Sequence, residues 1–315
     1  VITLLLASLL SMIYAQTGGH SSDTLVSPFN GENIKDNTPL MDWSSVPGAT
    51  EYYLQIDNDN DYSSPNVDND NISADNYEIP AENALPEGWY YWRVRAENAT
   101  ENSPWSENWI FQVDVTAPPA PTLAWPADGE NINDNTPNLD WNTVTENSLP
   151  VLYRCHVSDN SAFPYDNYDS GWVSNDNFQI TSEMNEGVWY WRVQAKDNAG
   201  NVGDNSSRSF RVDVTKPTTP SNVSPINGEN TNDNTPLLDW SDSTDVSLPI
   251  TYNLYADNDS NFSSVDYAQT SLTSSQYQFT SELAEKVWYW RVQARDNAGN
   301  VGDNSASRSF RIDVT

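Results

Sequence analysis

One string returns three times and sets what this chain can fold into. "DNTPLMDW" at Asp36–Trp43 recurs as "DNTPNLDW" at Asp134–Trp141 and "DNTPLLDW" at Asp233–Trp240. "YYWRVRAEN" from Tyr90 recurs as "WYWRVQAKDN" from Trp189 and "WYWRVQARDN" from Trp288. "VDVT" closes the copies at Val113 and Val212, and "IDVT" at Ile312. The period is about 99 residues, too long for a solenoid repeat of about 20–50 residues. Each copy is long enough to hold a core of its own. The division expected is repeat 1 over 22–116, repeat 2 over 117–215 and repeat 3 over 216–315.

Within each copy the apolar residues alternate. In "WYWRVQA", Trp189, Trp191, Val193 and Ala195 point one way, and Tyr190, Arg192 and Gln194 the other. A period of two is that of a strand with one buried face. Leu139 with Trp141, Tyr153 with Cys155 and Val157, Phe178 with Ile180, and Phe210 with Val212 and Val214 read likewise. "NGEN", "DGEN", "PGAT" and "DNAGN" separate them as turns. Short strands with a turn every eight to twelve residues predict an all-β chain of three tandem β-sandwiches.

The chain of 315 residues carries 45 acidic and 14 basic residues, a net charge of -31. Nucleic acid is excluded as a partner, because phosphate binding needs a basic face. Binding of the repeats to an anionic membrane is excluded for the same reason. The acidity fits bound cations or a saline habitat. Thirteen Trp and sixteen Tyr demand packed cores rather than a disordered acidic chain. Cys155 stands alone, so it reads as a small buried hydrophobe.

"VITLLLASLLSMIYA" is an apolar run ending at Ala15, too short for a membrane span of about twenty residues. It reads as a truncated signal peptide over 1–15 followed by a spacer over 16–21, which implies secretion to the cell surface or beyond. The same run could instead be the assembly helix of a filament subunit. Further modules of the same chain are expected beyond both ends.

"PLMDWSSVPGATEYYLQIDND" resembles strands B and C of a fibronectin type III domain, and "LPEGWYYWRVRAENATENSPWS" its strand F and F–G region. The resemblance implies a tyrosine corner at Tyr90. Copies two and three place Trp189 and Trp288 there, and an indole N–H can donate but cannot accept. The endings "VDVTAPPAP" and "VDVTKPTTP", with "DNAGNVG", resemble the Ig-like repeats of bacterial and archaeal surface proteins. The resemblance covers about residues 22–315.

"DNAGNVGDN" carries two readings. Gly200 and Asn201 suit a tight turn. Alternatively Asp197, Asn198, Asn201 and Asp204 offer oxygens to Ca²⁺, with Asp296 and Asp303 repeating them in copy three. The surface-repeat resemblance implies that Asp114, Asp213, Asp197 and Asp296 bind calcium at the domain junctions. "DNDND" at Asp57–Asp61 resembles the start of an EF-hand loop, with Asp57, Asp59 and Asp61 at alternating positions, but it lacks the glycine and the helices.

No nucleophile–base pair, phosphate loop or metalloprotease motif is present. His156 reads as an outward, solvated side chain. The chain is expected to be non-enzymatic, with no cofactor besides Ca²⁺. Its expected role is a surface stalk, spacer or adhesin whose partners are other surface proteins or polysaccharide. The alternatives are accessory carbohydrate-binding modules of a secreted hydrolase, with Trp105, Trp172, Tyr190 and Tyr289 stacking on sugars, and an extracellular filament.

Overall fold

The computed structural model describes residues 23–315. The expected signal peptide over 1–15, the spacer and His20 lie outside the described residues.

The first repeat contains β1 (Leu25–Ser27), β2 (Glu32–Ile34), β3 (Leu40–Trp43), β4 (Glu51–Asp57), β5 (Val67–Ile72), β6 (Asn76–Glu78), β7 (Gly88–Glu97) and β8 (Trp109–Val113). One sheet has the order β1-β3-β6 and the other β2-β8-β7-β4-β5. Only β2–β8 is parallel; the other pairs in these two sheets are antiparallel. The second repeat repeats both orders, with Gly187–Lys196 in the place of β7. The third does so with Val287–Arg295, against which an extra strand, Val301–Asn304, is paired.

The alternation seen in the sequence fills the space between the sheets. Trp92, Val94 and Ala96 are fully buried, as are Trp191, Val193 and Ala195, and Trp290, Val292 and Ala294. Trp43, Trp141 and Trp240 face them from the opposite sheet. Three separate hydrophobic cores result, one per copy. Truncating one such indole to Ala costs about 3–5 kcal/mol. Cys155 is fully buried in the second core, and burial pushes its thiol far above the usual range.

The polar repeats close the turns. Asp36 Oδ1 accepts from the N–H and hydroxyl of Thr38, and Asp134–Thr136 and Asp233–Thr235 repeat the bond. This is the side-chain turn that Asp favours before a strand. Tyr52, Tyr153 and Tyr252 each accept, at 2.9 Å, a backbone N–H of the loop that precedes them.

Three expectations need correction or completion. Tyr90 donates its hydroxyl to the Pro86 carbonyl at 2.8 Å. Trp189 and Trp288 donate Nε1–H to the carbonyls of Asn185 and Ala284, at 2.9 and 3.1 Å. The corner therefore survives the change of residue, because its bond needs only a donor. Val214 is exposed and lies outside the last strand, which ends at Val212; its N–H is drawn off by Glu186 Oε1. His156 is 7% exposed rather than solvated, because Asp166 holds its Nδ1 at 2.7 Å.

Candidate metal centre at the domain joints

Each joint is made where the last strand of one repeat meets two loops of the next. Asp114 and Asp213 sit just past those strands, their N–H groups bound to the carbonyls of Ile34 and Ile132. Asn33 reaches across to Ser148 Oγ at 2.9 Å.

The "DNAGN" loop is a clasp. Asp197 takes the Asn201 N–H on Oδ1 and the Asn201 side-chain amide on Oδ2, both at 2.8 Å. The same amide crosses the joint and donates to the Asp114 carbonyl at 2.7 Å. Asp296 and Asn300 repeat this, and Asn300 donates to the Asp213 carbonyl at 2.8 Å. Gly200 and Gly299 adopt φ of +92° and +100°, the left-handed region that glycine enters without strain. The glycine of "VG" has a different use. A Cβ on Gly203 would stand 2.1 Å from the Pro118 carbonyl oxygen, so the linker packs directly on that backbone.

Carboxylates converge behind the second clasp. Oxygens of Asp213, Asp245 and Asp296 lie within 4.8 Å of one another. Asp213 is fully buried, and its Oδ2 has no hydrogen-bond partner. Burial raises the pKa of Asp245, and the neighbouring Asp213 and Asp296 raise it further. At the first joint, burial likewise raises Asp114, with Asp197, Glu146 and Glu87 adding to the effect. Asp114 Oδ2 is also buried without a partner. There, however, the Glu146 carboxylate turns to the Asn147 N–H, and of the two joints it is the second at which three carboxylates converge.

Of the residues singled out in the sequence, the joints bring together Asp213 with Asp296 and Asp114 with Asp197 and Asn201. Asp204 and Asp303 are exposed and stand apart, Asp303 bridging to Lys216 at 3.3 Å. Asp57, Asp59 and Asp61 form a separate group. Asp245 was missed. The signal available was the acidic residue kept in the same place in "ENSLP" and "DVSLP", Glu146 and Asp245.

The expected sugar-stacking aromatics are partly covered. Trp105 lies under the guanidinium groups of Arg93 and Arg95, 4.3 and 4.7 Å from its ring centroid. Lys196 covers Trp172 at 4.4 Å. His156, Asp166 and Asp169 also cluster, but Arg154 forks Asp169 and holds its carboxyl down to about 2.

Sheets of three and five strands in this order make a two-sheet β-sandwich, here repeated in tandem. The FN1–FN3 domains of chicken CNTN1 are similar at 14% identity and a TM-score of 0.40, covering 93% of this chain and 98% of that one. The fibronectin(III)-like modules of Clostridium thermocellum CbhA are similar at 14% identity and a TM-score of 0.39, covering 60% of this chain and 93% of that one. No protein-family model and no curated protein matches the chain.

Proposed function

We propose that this chain is a non-catalytic extracellular stalk or spacer whose joints are closed by the "DNAGN" clasp and stiffened by Ca²⁺. The supporting observation is the fully buried Asp213, with an unpartnered carboxylate oxygen beside Asp245 and Asp296 at the second joint. Buried like charges repel unless something neutralises them. An oxygen-only set of this kind suits a hard cation, and Ca²⁺ takes about six to eight oxygens from carboxylates, carbonyls and water. Asp213 belongs to one repeat, and Asp245 and Asp296 to the next, so a shared ion ties two bodies together. The linkers "TAPPAP" and "TKPTTP" support the same role, since proline holds a linker semi-rigid. The leader implied by residues 1–15 supports an extracellular location.

Thermal unfolding of residues 16–315 at fixed ionic strength tests this, with millimolar Ca²⁺, with Mg²⁺ and with chelator. A ligand that binds only the folded state raises the midpoint. The expected result is a rise specific to Ca²⁺ that Asp213→Asn with Asp245→Asn reduces. An equal midpoint in all three solutions sinks the calcium part and leaves a metal-free spacer.

A further inference from the structure

A second group of carboxylates lies away from the joints, in the turn that follows β4. The same turn occurs three times. It reads Asp57-Asn58-Asp59-Asn60-Asp61-Tyr62, then Ser158-Asp159-Asn160-Ser161-Ala162-Phe163, then Asp257-Asn258-Asp259-Ser260-Asn261-Phe262. Its last residue is in the left-handed region each time, with φ of 55°, 48° and 53° for Tyr62, Phe163 and Phe262. The second repeat shows what the turn requires. Ser158 Oγ accepts the Asn160 N–H, and Asn160 Oδ1 accepts the Ala162 N–H. A hydroxyl and an amide suffice, and no carboxylate is needed.

The first repeat exceeds that requirement. Asp59 Oδ1 takes over the amide's task by accepting the Asp61 N–H at 3.0 Å. Asp57 does nothing for the turn. It is fully buried, and both of its carboxylate oxygens lack a hydrogen-bond partner. Its oxygens, with those of Asp59 and Asp61, lie within 4.8 Å of one another. The nearby cation does not answer it. Arg93 stacks on the Tyr62 ring at 3.8 Å and donates to Gln55 Oε1, and no ion pair joins it to Asp57 among the described residues. A buried, unpaired carboxylate is costly, and one facing two others more so.

We infer that Asp57, Asp59 and Asp61 form a Ca²⁺ site within the first repeat, independent of the joints. Three carboxylates supply up to six oxygens, near the full set that Ca²⁺ takes, with water for the rest. The ion would occupy the position to which all three carboxylates turn, and it would pin the turn over the outer face of β4 and β7. In the third repeat Asp257 and Asp259 keep two of the three carboxylates, and Asp257 Oδ2 is again buried and unpartnered. That turn should bind more weakly. The second should not bind at all.

The test is Ca²⁺ stoichiometry by equilibrium dialysis on the whole chain, alongside Tb³⁺ luminescence, for which Tyr62 is the adjacent sensitiser. The variant is Asp57→Ser, Asp59→Asn, Asp61→Ala together, which gives the turn the residues that the second repeat carries. The expected result is the loss of one bound Ca²⁺ per chain and of the tyrosine-sensitised signal. The joint variant, Asp213→Asn with Asp245→Asn, should keep that signal. An unchanged stoichiometry in the folded triple variant overturns the site. If the triple variant does not fold, Asp59→Asn alone decides, since Asn160 shows the amide to be tolerated. It should weaken the Tb³⁺ signal's half-saturation by about tenfold, as one ligand charge is removed, and an unchanged half-saturation overturns the site equally.

Discussion

The side-chain amide of Asn201 donates to the main-chain carbonyl of Asp114 at 2.7 Å, and Asn300 donates to that of Asp213 at 2.8 Å. Acceptor and donor sit in different repeats, and the same bond is made at both joints. The bond explains why the "DNAGN" string is copied: it is the part of each domain that holds the one before it.

Asn201→Ala should therefore loosen the first joint and destabilise the second repeat. It removes the bond across the joint and leaves Asp197, 3% exposed, with an unanswered Oδ2. A buried acceptor left unpaired costs about 1–3 kcal/mol. Urea unfolding reads the stability, and small-angle scattering reads the joint. Unchanged scattering would mean that the clasp does not set the angle between the domains.

Glycine at the linker contact should behave differently at the two joints. A Cβ at Gly203 would meet the Pro118 carbonyl oxygen at 2.1 Å, whereas at Gly302 it would meet the Pro217 oxygen at 3.1 Å. Gly203→Ala must displace the linker, and Gly302→Ala needs a shift of a few tenths of an ångström. Hydrogen exchange at the linker and the "DNAGN" loop should rise much more in the first variant. Equal effects would contradict this geometry.

The corner bond gives a pair of substitutions with opposite expectations. Trp189→Phe removes the donor to the Asn185 carbonyl and should cost about 1–2 kcal/mol. Trp189→Tyr restores a hydroxyl like that of Tyr90, which reaches Pro86 at 2.8 Å, and should recover part of that loss. Equal midpoints for the two variants would show that packing alone holds the corner.

Asp23 should give the first repeat a distinctive pH response. It is 5% exposed, and burial raises its pKa from 3.8 to about 7. A carboxyl raised in the folded state binds its proton more tightly there than when unfolded. Its effect on stability is absent below about pH 4, the unfolded value, and grows unfavourably as pH rises towards about 7. Asp23→Asn should flatten the fall in the midpoint of this repeat across that window. A parallel fall in parent and variant would place the pH response elsewhere.

In chelator, Asp245→Asn should raise the midpoint of the third repeat rather than lower it. The carboxyl is raised by burial and by Asp213 and Asp296, so removing its charge relieves repulsion when no cation is present. In Ca²⁺ the same change should lower the midpoint. A variant less stable in both solutions would contradict the charge argument.

The fold was legible because its strands write a period of two in large residues. Trp189, Trp191, Val193 and Ala195 could not be read otherwise, and all four are buried. The joints were only half legible. Asp197 and Asn201 are four residues apart but Asp114 lies 87 residues before Asn201, and which carbonyl Asn201 reaches depends on how two domains meet. The hint was that the "DNAGN" string is absent from the first repeat, which carries "ENATEN" in its place. His156 was misread because a strand's outward face is not always open. Its partner Asp166 lies ten residues on, beyond the reach of a period-two reading.

The Asn–carbonyl clasp runs in one direction, from each repeat back to its predecessor. Such a head-to-tail contact leaves each repeat able to receive another behind it. A chain built this way can gain or lose whole repeats by duplication or deletion of the gene segment, and every new seam arrives already fitted. Length, and with it the reach of whatever the repeats carry, can then change between generations without the invention of a new interface.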